Sequence, residues 1–153
     1  MTEAVDVRAE SPLQDEVATL LRQSDLVAPR LYPGEYRRPI TPESLAKPDT
    51  HLLVARIVGK AVGLCAVFER GAGEVELKRM IVDVEARGQG VGMALMRAVE
   101  AKAQRLGADV ILLEVGVRNT EARSLYRRAG FTDREPFSPY QPSPISLFME
   151  KNI

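Results

Sequence analysis

The chain is poor in the residues that much catalytic and structural chemistry leans on. Of its 153 residues one is cysteine, Cys65, and one is histidine, His51. A lone cysteine excludes an intramolecular disulfide, and in the apolar run from Ala61 to Phe68 it reads as a buried, inert thiol. A lone histidine excludes a histidine-rich zinc site, and any Ser-His-Asp chemistry would have to run through His51. No metal is expected. Net charge is missing too: 21 Lys+Arg meet 21 Asp+Glu. Without surplus cations nothing drives the sequence-independent attraction to a phosphate backbone, so no nucleic-acid partner is expected. No stretch approaches the roughly 18 apolar residues of a membrane span, and the first ten residues lack an apolar signal core. The expectation is a cytoplasmic protein with no membrane partner.

What is present is ordinary for a globular chain, 45% hydrophobic and 27% charged, and its length suits one domain over residues 1–153. A fold of this size buries about 68–70% of the surface its unfolded chain exposes, enough for a core without staples. Val5 and Val7 mark a short strand. Ser11-Pro12-Leu13-Gln14 then reads as a helix start, with Ser11 as cap, Pro12 in the first position and Leu13, Val17, Leu20 and Leu21 as the buried stripe. That helix is expected to end near Gln23. From Asp25 to Asp49 five prolines (Pro29, Pro33, Pro39, Pro42 and Pro48) argue against any long regular element, although Thr41-Pro42-Glu43 can cap a short helix. Such a segment is either a functional loop or a loose surface one.

Thr50 to Val58, Ala61 to Glu69 and Glu74 to Val84 read as three strands joined by short glycine-containing turns, hence an antiparallel meander. Gly92, Leu95, Met96, Val99, Ala103 and Leu106 then recur at helical spacing up to Gly107. Val110 to Val115 is an apolar strand interrupted by Glu114. A second helix follows, with Asn119 or Thr120 as cap and Ala122, Leu125 and Tyr126 inward, and ends at Gly130. Phe131 opens a strand, and Ile145 to Lys151 closes the sheet.

Between the third strand of the meander and the helix lies Arg87-Gly88-Gln89-Gly90-Val91-Gly92. Glycines there let backbone amides approach a ligand, and the helix start adds partial positive charge, so phosphate or pyrophosphate is the natural guest. A P-loop would need a Lys-Ser or Lys-Thr pair, which the chain lacks. A dinucleotide fingerprint would need glycine where Met93 stands, in the first strand-turn-helix of the fold. A mere tight turn with close packing is the bland alternative.

The remaining pattern, Arg/Gln-x-x-Gly-x-Gly/Ala after a strand and before a helix, is carried by Arg87, Gly90 and Gly92 and resembles the GNAT superfamily of N-acetyltransferases. Met80-Ile81-Val82 before the loop, Asn119-x-x-Ala122-x-x-Leu125-Tyr126 after it, and Gly130-Phe131 extend the match from about Glu74 to Phe131. Leu31-Tyr32-Pro33, Glu76-Leu77-Lys78-Arg79-Met80, Pro136-Phe137-x-x-Tyr140 and Ser146-x-Phe148-Met149-x-Lys151 look like a group of small bacterial GNAT proteins whose name carries no substrate. The resemblance implies an α/β (α+β) fold: a mixed, mostly antiparallel sheet of about seven strands with helices on both sides. It implies acetyl transfer from acetyl-CoA to the amine of a small molecule or peptide by direct attack. A non-catalytic acyl-CoA-binding or sensor domain on the same fold is the alternative.

The same resemblance suggests roles. Amides of Gly88, Gln89, Gly90, Val91, Gly92 and Met93 would bind the CoA pyrophosphate, with Arg87 at the rim. The backbone of Met80, Ile81 and Val82 would pair with the pantetheine arm as an added strand, with the side chains of Met80 and Val82 as core residues the bland alternative. Asn119 is a cap, a pantetheine contact, or both. Tyr126 is either a core tyrosine or the acid that protonates the leaving thiolate. Glu76, a carboxylate in an apolar strand, is either the general base or half of a salt bridge to Lys78 or Arg79, and Glu114 is its rival. The acceptor would enter from the side of the Asp25 to Asp49 segment. Monomer and homodimer both remain open.

Overall fold

The computed structural model describes residues 4–31 and 40–153. Its elements are β1 (Val5–Ala9), α1 (Asp15–Leu31), a 3-10 turn (Pro42–Leu45), β2 (Thr50–Ile57), β3 (Lys60–Gly71), β4 (Glu74–Val82) and a second 3-10 turn (Val84–Ala86). There follow α2 (Val91–Arg105), β5 (Val110–Gly116), α3 (Thr120–Arg128), β6 (Thr132–Arg134) and β7 (Ser146–Asn152). All strands join one seven-stranded sheet in the order β1-β2-β3-β4-β5-β7-β6. Only the β4–β5 pair is parallel. A parallel neighbour needs a crossover, and α2 supplies it.

Period-two alternation sorts the strands' side chains onto two faces. On one, Leu53, Val67, Leu77 and Leu113 meet Val91, Leu95 and Val99 of α2 and Leu125 of α3. On the other, Leu52, Val54, Leu64 and Ala66 meet Val17, Leu20 and Leu21 of α1. Each such leucine or valine side chain contributes about 1.5–3 kcal/mol by leaving water. The expected sheet, with helices on both of its sides, is therefore observed, and among the described residues no helix is long and apolar enough to cross a membrane.

Two local expectations at α1 fail for physical reasons. Ser11 does not cap the helix; its hydroxyl accepts from Leu13 N and its carbonyl from the Gln14 side chain, forming a turn ahead of Asp15 that leaves Leu13 59% exposed. The helix also passes Gln23 and runs to Leu31, Pro29 included. No breaker stands between Ser24 and Ala28, and a proline this late removes one hydrogen bond from a helix already propagating. The short helix expected at Thr41 does form, as a 3-10 turn in which the Thr41 hydroxyl accepts from Ser44 N at 3.3 Å. Tyr32 to Pro39 lie outside the described residues.

The start of α1 is tied to the β2–β3 hairpin through Arg56, which donates to Glu10 at 2.8 and 2.9 Å, to Glu16 at 2.9 Å and to the Gly59 carbonyl at 2.7 Å. Arg56 holds the Glu10 carboxyl below the usual carboxylate range, and the Ala61 amide does the same for Glu16.

Candidate active site

β4 and β5 pair over four residues only, Glu74 to Leu77 against Val110 to Leu113. Beyond them β4 continues to Val82 and β5 to Gly116 without a rung between them, so the sheet opens into a fork. A bulge in β4 marks the opening. On the β3 side Leu64 faces Ile81 and Ala66 faces Lys78, so one β3 residue, Cys65, opposes the two residues Arg79 and Met80. Arg79 takes φ 59°, the left-handed region. An extra residue reverses the alternation that follows it. Val75 and Leu77 lie on the α2 face, and so do Met80 and Val82, while Ile81 joins the α1 face. The β4 edge carrying Met80, Ile81 and Val82 is thus left without a β5 partner. On the other side of β4, Gly63 of β3 lets the strand and α2 approach closely, since a Cβ there would stand 2.9 Å from both the Ile81 carbonyl and a Val91 methyl.

The fork leads directly into the glycine loop. Asp83 accepts from Glu85 N at 3.1 Å and closes the 3-10 turn, after which Gly88 (φ 79°) and Gly90 (φ 80°) turn the chain into α2. Gly90 is the N-cap and no side chain caps the helix. A Cβ on Gly88 or Gly90 would meet nothing within 4 Å, so both lie beside open space. Uncapped amides at a helix start, next to open space, fit an anionic phosphate. At Gly92 the room a Cβ would need is occupied by Leu125, 3.0 Å away, so this glycine lets α3 pack closely on α2. Arg87, exposed at the rim, pairs with Glu121 of α3 at 3.6 Å.

Tyr126 lies on the α2 face in the same apolar cluster as Cys65 and Met80, and its ring packs 6.0 Å from that of Phe131. The residue is 6% exposed. Its hydroxyl makes no hydrogen bond among the described residues, yet it is not sealed, because the one fully buried, unpartnered side-chain N or O atom among them is Arg70 Nε. Burial pushes the phenol pKa well up, as it does the Cys65 thiol. The phenol is therefore protonated at neutral pH. Asn119 occupies the N-cap of α3, but its side chain makes no capping bond.

Glu76 lies on the opposite face, 3% exposed. Arg70 donates to its Oε1 at 3.2 Å, Tyr140 donates to its Oε2 at 2.6 Å, and Lys78 Nζ stands 3.9 Å from Oε2. The salt bridge to Lys78, the alternative reading of Glu76, is present in this long form, and the shorter charged contact comes from Arg70. Glu114 shares the face: Glu76 is level with Leu112, so the next outward pair of that parity is Lys78 and Glu114, on the two prongs of the fork. Glu114 is half-buried and accepts from Ser146 Oγ at 2.8 Å.

Sequence reasoning assigned no role to Arg70 and Tyr140, which build this side of the site. Arg70 donates to the Ser138 carbonyl at 2.6 Å and lies over the Phe137 ring at 5.0 Å. Phe137 is edge-on to both Tyr140 and Phe148. The segment between β6 and β7 is thereby pinned against the start of β4. Burial first, and the Glu76 hydrogen bond second, push the Tyr140 phenol well up. The motif Pro136-Phe137-x-x-Tyr140 was visible, but nothing in it pointed to Glu76, and Arg70 carried no signal.

A family model described as the acetyltransferase (GNAT) family matches residues 17–131. An IAA acetyltransferase of Azospirillum brasilense is 44% identical over 150 residues, 97% of this chain and 98% of that one. A Klebsiella pneumoniae protein provisionally called an acyl-CoA N-acyltransferase superposes with a TM-score of 0.82 at 32% identity, covering 97% of each chain. A Bacillus subtilis acetyltransferase solved with CoA shares the fold at a TM-score of 0.72 and 16% identity, over 98% of this chain and 99% of that one.

Proposed function

The chain belongs to the GNAT family of acetyltransferases, which use acetyl-CoA, and we propose that it moves the acetyl group to the amine of a small molecule or peptide by direct attack. The observation that carries this reading is a continuity: the unpaired edge of β4 runs into a glycine loop at an uncapped helix start. Amides from Gly88 to Met93 hold the pyrophosphate, with Arg87 at the rim and Asn119 nearby. The backbone of Met80, Ile81 and Val82 holds the pantetheine arm as a neighbouring strand would. The bound thioester supplies an activated acetyl carbonyl at the fork.

Acid and base lie on opposite faces of that fork, which suits a reaction entered from one side and left from the other. Glu76 takes the proton of the attacking amine. Because it is almost sealed, the proton reaches it through Tyr140, whose oxygen accepts one proton as its hydroxyl passes another to Oε2 over 2.6 Å. Tyr126 donates to the departing thiolate.

Two measurements test the reading. The purified chain is incubated with acetyl-CoA and a panel of amines, IAA included because the Azospirillum brasilense relative bears that name, while free thiol is followed. Acceptor-dependent thiol release is expected; tight acetyl-CoA binding with no release from any acceptor would make the chain a non-catalytic binder. Separately, Gly90→Val is expected to weaken acetyl-CoA binding about tenfold or more, since a β-branched residue at φ 80° is strained by roughly 1–2 kcal/mol or more and the loop must rearrange. Calorimetry reads the affinity, and circular dichroism confirms the fold. An unchanged affinity would remove the loop from the cofactor site.

A further inference from the structure

Among the described residues, Lys78 stands at the mouth of the fork with no hydrogen-bond acceptor for its ammonium, its ion pair to Glu76 being a long one. It extends from the first β4 position beyond the last β4–β5 rung, on the same face as Glu76. Its side chain is 37% exposed. Its ammonium lies 4.8 Å over the Phe68 ring and 6.0 Å from the Tyr140 ring, and it makes no hydrogen bond among the described residues. The nearest carboxylate, Glu76, is 3.9 Å away and is already engaged by Arg70 and Tyr140. An ammonium has three donors to satisfy, and aromatic faces supply charge attraction but no strong acceptor.

Across the fork stands Glu114, of opposite sign, with Oε2 held by Ser146. Arg70 is shared between Glu74 at 3.6 Å and Glu76 at 3.2 Å, at the closed end of the fork, and the two prongs themselves present one positive charge, Lys78, and one negative charge, Glu114. That arrangement suits a zwitterion. A dianion such as a phosphate ester would meet both Glu76 and Glu114, whereas a single carboxylate can face Lys78 while the amine, drawn into the fork by Glu114, stays within reach of the Tyr140 hydroxyl that leads to Glu76.

Resting on the acetyl-transfer reading above, we infer that the acceptor is an amino carboxylate, with its carboxylate on Lys78, its carbon skeleton between Phe68 and Tyr140, and its amine toward the fork. Lys78 is then the residue that selects acceptors by charge.

The test compares twenty amino acids with their carboxamides as acceptors, by free-thiol release. At least one amino acid is expected to exceed its carboxamide in kcat/KM by about tenfold to a hundredfold, the range of a charge-assisted contact. Lys78→Met should bring that ratio toward one through KM, and Lys78→Arg should restore most of it. Carboxamides that react as well as the acids, or a ratio unmoved in Lys78→Met, would overturn the inference while leaving acetyl transfer standing. If no amine releases thiol, the acetyl-transfer reading falls instead. Calorimetric titration of the amino acids into the wild type and Lys78→Met, with CoA present, then judges the subsite, and no difference between the two would overturn it.

Discussion

Tyr126→Phe is expected to lower turnover by about a hundredfold or more, the usual worth of a positioned proton donor, while acetyl-CoA binding stays unchanged. The substitution keeps the ring against Phe131 and removes one oxygen. That oxygen is a poor candidate for a structural role, since its hydroxyl bonds to no described residue although the ring is buried. Burial holds the phenol protonated above neutral pH, so as an acid it would be loaded throughout an ordinary assay range, and no alkaline limb from its ionisation is expected in the rate profile. Stopped assays for kcat, with calorimetry for acetyl-CoA, separate the two quantities. A turnover number equal to wild type would leave Tyr126 a core residue only.

Glu76→Gln is expected to cost roughly 10²- to 10⁴-fold in kcat near neutral pH, with little change in acetyl-CoA affinity, and the deficit should shrink as pH rises toward the amine's own pKa of about 10. The sign follows from the role: a base is needed only while the acceptor arrives protonated. The amide is nearly isosteric and can still meet Arg70 and Tyr140, yet it leaves the guanidinium without its charged partner, so a melting curve must accompany the kinetics. Tyr140→Phe keeps the carboxylate and removes the bridge to it, and should reproduce the same pH-dependent loss. Glu114→Gln is the control. If Glu76→Gln is fully active across pH while Glu114→Gln is impaired and recovers in alkali, the base is Glu114.

The strands and the helices flanking the glycine loop were legible because their signals are local. Alternation marked β2, β3 and β4, and the three-four spacing from Gly92 to Leu106 marked α2. The far end of α1 was not legible, because proline statistics weigh against helix regardless of whether a helix is already under way. The bulge had left a trace: Val75, Leu77, Met80 and Val82 share a face with a gap of three between Leu77 and Met80, where an unbroken strand would show two. That skipped beat places the extra residue at Lys78 or Arg79. Site partners were hidden for another reason. Tyr140 reaches Glu76 from 64 positions along the chain, and Arg70 reaches Ser138 from 68. Contacts of that range are set by how β7 inserts beside β5, which single-strand patterns do not encode.

A sheet that forks has a cost that a closed one avoids. From Lys78 to Val82, β4 presents a row of backbone donors and acceptors inside the molecule with no neighbouring strand on its β5 side, chemically the same thing as an exposed edge, and such an edge can recruit a strand from another chain. Proteins blunt edges with bulges that twist them away and with charged residues, lysine above all. Here the bulge at Arg79 and the ammonium of Lys78 stand at the start of that row. The two features proposed to shape the site for acetyl-CoA and its acceptor thus also blunt the empty edge, and a variant that straightened β4 or neutralised Lys78 is expected to lose solubility along with activity.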